Sequence, residues 1–445
     1  MTRRFALLLA FLALLAAAVA AGCGGGEEGG GETGGGGGGG GANENVSGSI
    51  SLMGIWVGTE QKSIQAVLDG FEEQFPNVDV KYNAAGDNIV TVLATAVQGG
   101  NPPDLATIAQ PGTIREYADR GEIQPIDFAR DTITQNFSQS VVDLGTFDGK
   151  LYSFLFKGAN KSTVWYNVPV FEDAGVEPPE TWDDFLSAAE TIKASGVPAY
   201  SIGGADGWTL TDLFENIYLR TAGPEKYDQL AEHKIPWTDQ SVKDALTEMG
   251  KVLGDTDNIA GGTEGALQTD FPTSVTQVFA DPPKAGMVIE ADFVAGEIVN
   301  STNAKPESGF NEFAFPSIND SPASVVGGGD QLVMFKDSPA ARALVEYMAT
   351  PEAAEIWVKR GGFSSPNKNV PEDAYPDPIL RATATALAEA EPFRFDLSDL
   401  QPSAFGGTVG QGLFKLFQDF LKNPDDVDGI AQQMEDAAAQ AYGGG

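Results

Sequence analysis

The chain has 445 residues, 42% of them hydrophobic, and a formal net charge of −36. That length allows two or three domains with a sizeable core. The charge excludes nucleic acid as a partner and disfavours docking on anionic lipid, because phosphate binding needs clustered Lys and Arg; it reads instead as solubility by self-repulsion or as an acidic cleft for a cation. The one Cys forms no intrachain disulfide, and the one His excludes a multi-His metal centre and allows a Ser-His-Asp triad only through His233. His233 lies in a polar stretch before Pro236 and reads as a surface residue.

In chain order, residues 1–22 read as a signal peptide, with Arg3 and Arg4 ahead of the apolar run Phe5–Ala21. The run is long enough to span a membrane, which takes about 17–25 apolar residues. The residues at its end decide against a span: Ala20-Ala21-Gly22-Cys23, then glycine. This resembles the lipobox of bacterial lipoproteins, with Ala20 at a position usually held by Leu. The resemblance implies that Cys23 becomes the lipidated N-terminus. Residues 24–42 are nearly all Gly and bury no core, so 23–45 is expected to be an anchor and a flexible tether.

Ser49–Trp56 alternates like a strand, and Ile64, Val67, Leu68, Phe71 and Phe75 mark a helix over 60–75 that Pro76 ends. Val78–Tyr82, Ile89–Gln98 and Leu105–Ala109 continue as strand, helix and strand. This β-α-β-α-β order predicts a parallel sheet covered by helices. The alternation returns with a strand at Thr163–Tyr166 and a helix over 182–194 that opens on a Thr181/Asp184 capping box. A strand at Tyr200–Gly203, a helix at Leu210–Leu219 and strands at Lys284–Glu290 and Leu332–Phe335 come next. Helices at Ala340–Met348 and Glu352–Lys359 precede a final one bearing Leu413, Leu416, Phe417, Phe420 and Leu421.

Several stretches, in order, resemble the family-one extracellular solute-binding proteins, the maltose-binding-protein-like class. They are Asn101-Pro102-Pro103-Asp104-Leu105; Val164-Trp165-Tyr166-Asn167 with Phe171–Gly175 and Pro179-Glu180-Thr181-Trp182; and Gly286–Glu290 with Ala291-Asp292-Phe293. Gly327-Gly328-Gly329-Asp330 and Arg394–Pro402 complete the set. The last stretch looks like that of oligosaccharide receptors of the α-glucoside type. The resemblance covers nearly the whole chain after the tether. It implies an α/β two-lobe periplasmic-binding-protein fold with three hinge crossings, near Gly158–Ser162, Val326–Asp330 and Gly362–Lys368. The first lobe is then 46–158 plus 329–363, the second 159–328 plus 364–445. The implied function is capture of a sugar between the lobes and delivery to the transmembrane subunits of an ABC importer. The protein is expected to be a monomer without cofactor, metal or catalytic residue, held by its lipid on the outer face of the cytoplasmic membrane.

A sugar presents an apolar face and a rim of hydroxyls, so its site needs flat aromatic surfaces and fixed donors and acceptors. Trp56 and Glu60 lie where the first strand ends, and Gln110 where the third ends, which is the ligand end of an open α/β sheet. Trp56 reads equally as core. The loop Gly203–Trp208 contributes Asp206 and Trp208, with Glu215 and Asn216 on the helix beyond. Asp292 and Phe293 match the family's Asp-Trp ligand contact, with stacking kept and the indole N–H lost. Asp330 follows the glycines near a hinge, and Arg394 either holds a hydroxyl or pairs with an Asp. Phe414, Phe417, Phe420, Trp182, Trp237 and Trp357 read as packing. Two rival readings stand beside this one. A secreted glycosidase needs only two carboxylates, and a receptor for polyamine, peptide or anion would share the fold.

Overall fold

The structure, a computed structural model, describes residues 45–388 and 392–443. The signal peptide, Cys23 and most of the tether lie outside the described residues. Strand β1 (Gly48–Gly54), helix α1 (Gly58–Gln74), β2 (Val78–Ala84), α2 (Ile89–Gln98), β3 (Leu105–Ile108) and α3 (Pro111–Asp119) follow the predicted alternation. β1 pairs in parallel with β2 and with β3. α1 turns the stripe Ile64, Val67, Leu68 and Phe71 into the core, as its spacing requires.

The chain continues through β4 (Ser153–Asn160), β5 (Thr163–Asn167), α4 (Trp182–Ala194), α5 (Trp208–Ala231), β6 (Met287–Ile289), α6 (Val294–Ser301), β7 (Phe310–Ala314) and β8 (Val325–Met334). β6, β5 and β7 form an antiparallel three-stranded sheet with β5 in the middle. Thr181 caps α4 as its spacing implies, accepting from Asp184 N at 3.2 Å and donating to Asp184 Oδ2 at 2.7 Å. Beyond β8 come α7 (Pro339–Met348), α8 (Pro351–Val358), β9 (Phe393–Phe395), α9 (Leu397–Leu400), α10 (Ser403–Gly406), α11 (Gly412–Lys422) and α12 (Val427–Gly443).

β8 ties the larger sheet together. Its start runs parallel to β9, its end antiparallel to β3, and most of its length lies antiparallel to β4. The reading of Leu332–Phe335 as a short strand missed this reach, because three successive glycines suggest a loop. Here they belong to the strand because neighbours fill the space of their side chains. A Cβ at Gly328 would lie 2.6 Å from Lys161 Cε, and one at Gly329, whose φ is +145°, would lie 2.0 Å from Lys157 O.

Other expectations shift. Tyr200–Gly203 makes only single bridges, from Tyr200 to Ile259 and to Met287, and leads into a loop instead of a strand. α5 begins at Trp208 and runs past a break at Gly223 and Pro224. α11 is not last, since α12 comes after it with Ile430, Ala431 and Met434 buried. One apolar core gathers around β1, β4 and the α1–α8 pair, and another around α5, α11 and α12. Among the described residues, no helix is long and apolar enough to cross a membrane.

Candidate ligand-binding site

A cavity of ≈ 400 Å³ opens where the C-terminal ends of β1 and β3 meet the start of α5 and the segments around Phe293, Asp330 and Asp396. Strand ends place backbone and side chains there without further support, which is why Trp56, Glu60 and Gln110 arrive at its wall. Asp206, Trp208, Phe293 and Asp330 also line it, whereas Asp292 and Arg394 do not.

Three rings make the apolar wall. Trp208 lies 5.4 Å from Phe271 and 6.0 Å from Phe293, and Phe271 meets Phe293 edge-on at 5.1 Å, centroid to centroid. Trp208 Nε1 has no hydrogen-bond partner, although the Asp87 carboxylate faces it. Gln110 donates through Nε2 to Asp399 Oδ1 at 3.0 Å, and its Oε1 is buried without a donor. A donor and an acceptor outside any regular hydrogen bond therefore belong to residues that line the same cavity as the aromatic wall.

Trp56 stands behind that surface. It is fully buried, packs edge-on against Trp357 at 4.9 Å, and donates through Nε1 to Asp330 Oδ2 at 2.7 Å. The alternative that Trp56 is core describes its packing, and its hydrogen bond fixes Asp330. Glu60 pairs with Lys157, whose ammonium also sits 5.0 Å from the Phe293 ring centroid. Asp206 accepts from Phe271 N at 2.6 Å. Burial first, then the charges of Asp87 and Asp270, push its carboxyl up to about 6 despite that bond.

The two remaining candidates serve the framework. Asp292 accepts from Asn160 N at 3.1 Å and from the Ser364 hydroxyl, turned away from the cavity that its neighbour Phe293 lines. Arg394 donates through Nη2 to Asp228 Oδ2 at 2.9 Å and through Nη1 to Phe393 O at 2.8 Å, so the ion-pair alternative holds. His233 is half-buried, not a free surface residue, with Nε2 3.3 Å from Glu435 and its ring stacked on Tyr442. Phe414, read as packing, reaches the cavity wall, while Phe417 and Phe420 are core.

Sequence reasoning missed the charged floor. Lys161 Nζ donates to Asp212 Oδ1 at 3.0 Å and to Asp396 Oδ2 at 2.5 Å. Burial would pull its pKa down, but the Asp212 and Asp396 carboxylates outweigh burial and hold it well above the usual value. Burial pushes Asp212 up to about 7 and raises Glu215, Glu290 and Asp399 well above their ordinary range. The oxygens of Asp212, Glu215 and Asp396 lie close enough to suit a cation. Their oxygens are largely engaged: Glu215 by Leu397 N and Ser398 N, Asp396 by Asp399 N, Ser398 Oγ and Lys161. The Lys161 ammonium supplies the positive charge there. Its signal was present in the sequence, for Lys157 and Lys161 interrupt the otherwise uncharged run 151–170.

Residues 56–355 match the bacterial extracellular solute-binding protein family. The osmoprotective compounds-binding protein GgtB of Synechocystis sp. is 32% identical over 372 residues, covering 82% of this chain and 87% of its own length. The alpha-glucosides-binding periplasmic protein AglE of Rhizobium meliloti is 34% identical over 387 residues, covering 82% of this chain and 81% of its own. A solved chitin oligosaccharide binding protein superposes with a TM-score of 0.78 at 22% identity, covering 89% of this chain and 99% of its own. That likeness concerns the fold, a two-lobe α/β architecture.

Proposed function

The chain belongs to the bacterial extracellular solute-binding proteins, and from that membership we propose that it captures a neutral sugar or oligosaccharide between two closing lobes and hands it to the transmembrane subunits of an ABC importer. Its place of action is extracytoplasmic. Anchoring by a lipid on Cys23 belongs to the same proposal. The carrying observation is the Trp208–Phe271–Phe293 wall beside the unpartnered Trp208 N–H and Gln110 carbonyl. Such a wall suits the apolar face of a sugar ring, and the two free groups suit hydroxyls, which both donate and accept. Around the cavity stand Asp87, Asp206, Asp330, Asp396 and Asp399 besides the paired Glu60. Lys157 and Lys161 also line it, paired with Glu60 and Asp396, and burial raises the Asp87, Asp206, Asp330 and Asp399 carboxyls towards their neutral form, which suits an uncharged ligand.

Closure needs hinges, and the three crossings named from the sequence converge. Gly158 pairs with Gly329, and Gly158 N donates to Ser364 O at 2.8 Å. We therefore assign 46–158 plus 329–363 to one lobe and 159–328 plus 364–445 to the other. The lining residues come from both, as a ligand that stabilises the closed form requires. The cavity carboxylates reached by Lys157, Lys161, Trp56, Gln110 and Phe271 N act as fixed acceptors, which supports binding without chemistry.

A thermal-shift series tests the proposal. Neutral mono- to oligosaccharides, α-glucosides among them, are compared with uronic acids and with spermidine. A neutral saccharide is expected to raise the melting temperature, since ligand at a hundredfold excess over Kd stabilises by about 2.7 kcal/mol. A shift with spermidine alone would replace the sugar reading by a polyamine one.

A further inference from the structure

Helix α3 and the segment from Asp396 to Gly407 meet beside the cavity but belong to different apolar cores. α3 buries Ile114 and Tyr117 with Leu93, Ile108 and Phe335. The facing segment buries Leu397 and Phe405 with Phe214 and Phe417. The two clusters share no member. Their meeting surface is polar and backbone-lined instead. Ser403 donates through its N–H to Glu116 Oε1 at 2.8 Å and through its hydroxyl to Oε2 at 3.0 Å. Arg120 Nη1 approaches the same Oε2 at 3.5 Å. Gly112 comes so near the facing backbone that a Cβ there would lie 2.1 Å from Gln401 O.

An apolar interface resists separation because opening it exposes hydrophobic surface. A surface of hydrogen bonds and glycine opens at little such cost, since water replaces each bond. This is the composition expected of an interface that parts and rejoins. We propose that Glu116, bonded to Ser403, is a positioning residue: a latch that draws α3 against α9 and α10 and favours the closed form without touching ligand. The inference rests on the two-lobe closure proposed above. A latch of this kind strengthens binding by raising the fraction of molecules already in the binding-competent state. It also sets Gln110, which precedes α3 directly, against Asp399 and Gly407 at the cavity wall.

The test uses the purified ligand-free protein, Glu116→Ala and Glu116→Gln. Hydrogen exchange reads the Ser403 amide, and small-angle scattering reads the radius of gyration. Glu116→Ala is expected to exchange the Ser403 amide at least about tenfold faster and to expand, with the melting temperature little changed. Glu116→Gln keeps an acceptor and is expected to restore both readouts. If Glu116→Ala fails to fold, Gly112→Ala gives the same test from the other side, its methyl forcing the Gln401 carbonyl away. Equal exchange and equal size in wild type and in these alanine variants overturns the latch. Both readouts are taken without sugar, so a failed saccharide series leaves them standing, and a failed latch leaves sugar capture standing.

Discussion

Two tryptophans at one cavity do different work because of what surrounds them. Trp208 is half-buried with its N–H facing Asp87 outside any regular hydrogen bond, whereas Trp56 is fully buried with its N–H held by Asp330. Trp208→Ala is expected to cost about 2 kcal/mol of binding, about thirtyfold in Kd, with a near-native melting temperature. Trp56→Ala leaves a void beside Trp357 and is expected to cost about 3–5 kcal/mol of stability. Titration calorimetry and thermal melts on the two variants separate the roles, and unchanged affinity in Trp208→Ala removes it from the site. The strand-end rule made Trp56, Glu60 and Gln110 legible in the sequence, since it fixes where a residue sits. It does not fix where a side chain turns, and so Asp292 was grouped with Phe293 although only Phe293 lines the cavity. Lys157 and Lys161 escaped because Lys is almost never fully buried unless paired, and the pairing carboxylates of Lys161 lie 51 and 235 residues away.

At the scale of elements, the first five were readable because each carries one clean period, 2.0 for strands and 3.6 for helices. β8 was not, since its glycines answer to Phe393, Lys161 and Lys157 on other segments, which no local pattern reveals. Tyr200–Gly203 failed for the converse reason, as a strand-like composition found only single partners. The three-stranded sheet carries a consequence for pH. On β7, burial pushes Glu312 up to about 7, with Thr383 Oγ1 as donor at 3.4 Å. Between its ordinary value near 4.5 and about 7 the native chain keeps this proton while the unfolded chain has lost it. Stability therefore falls as pH rises through that window. Asp206 and Asp292, each pushed up to about 6 chiefly by burial, act in the same direction. Glu312→Gln is expected to raise the melting temperature at pH 8 and leave it nearly unchanged at pH 5. An equal effect at both pH values contradicts the assignment.

Across the whole molecule, one composition serves two ends. The charge of −36 favours solubility by self-repulsion, and some of the carboxylates that carry it stand around the cavity as acceptors for Lys157, Lys161, Trp56 and Gln110. With the lobes bounded as proposed, the cavity takes Trp56, Glu60 and Gln110 from one lobe and Trp208, Phe271 and Phe293 from the other. On that proposed assignment binding and closure are one event, and a ligand with no preference for the closed form would shift nothing. The carboxylates that a glycosidase reading would enlist are largely committed to Lys157, Lys161, Trp56 and Gln110. The central claim, that this protein captures an intact neutral sugar, is tested most directly by equilibrium dialysis against a mixture of neutral mono- to tetrasaccharides, with mass spectrometry of the saccharide that the protein retains. Retention of one saccharide species, unaltered in mass and close to one per chain, is the predicted result; retention of none, or recovery of cleaved products, would contradict it.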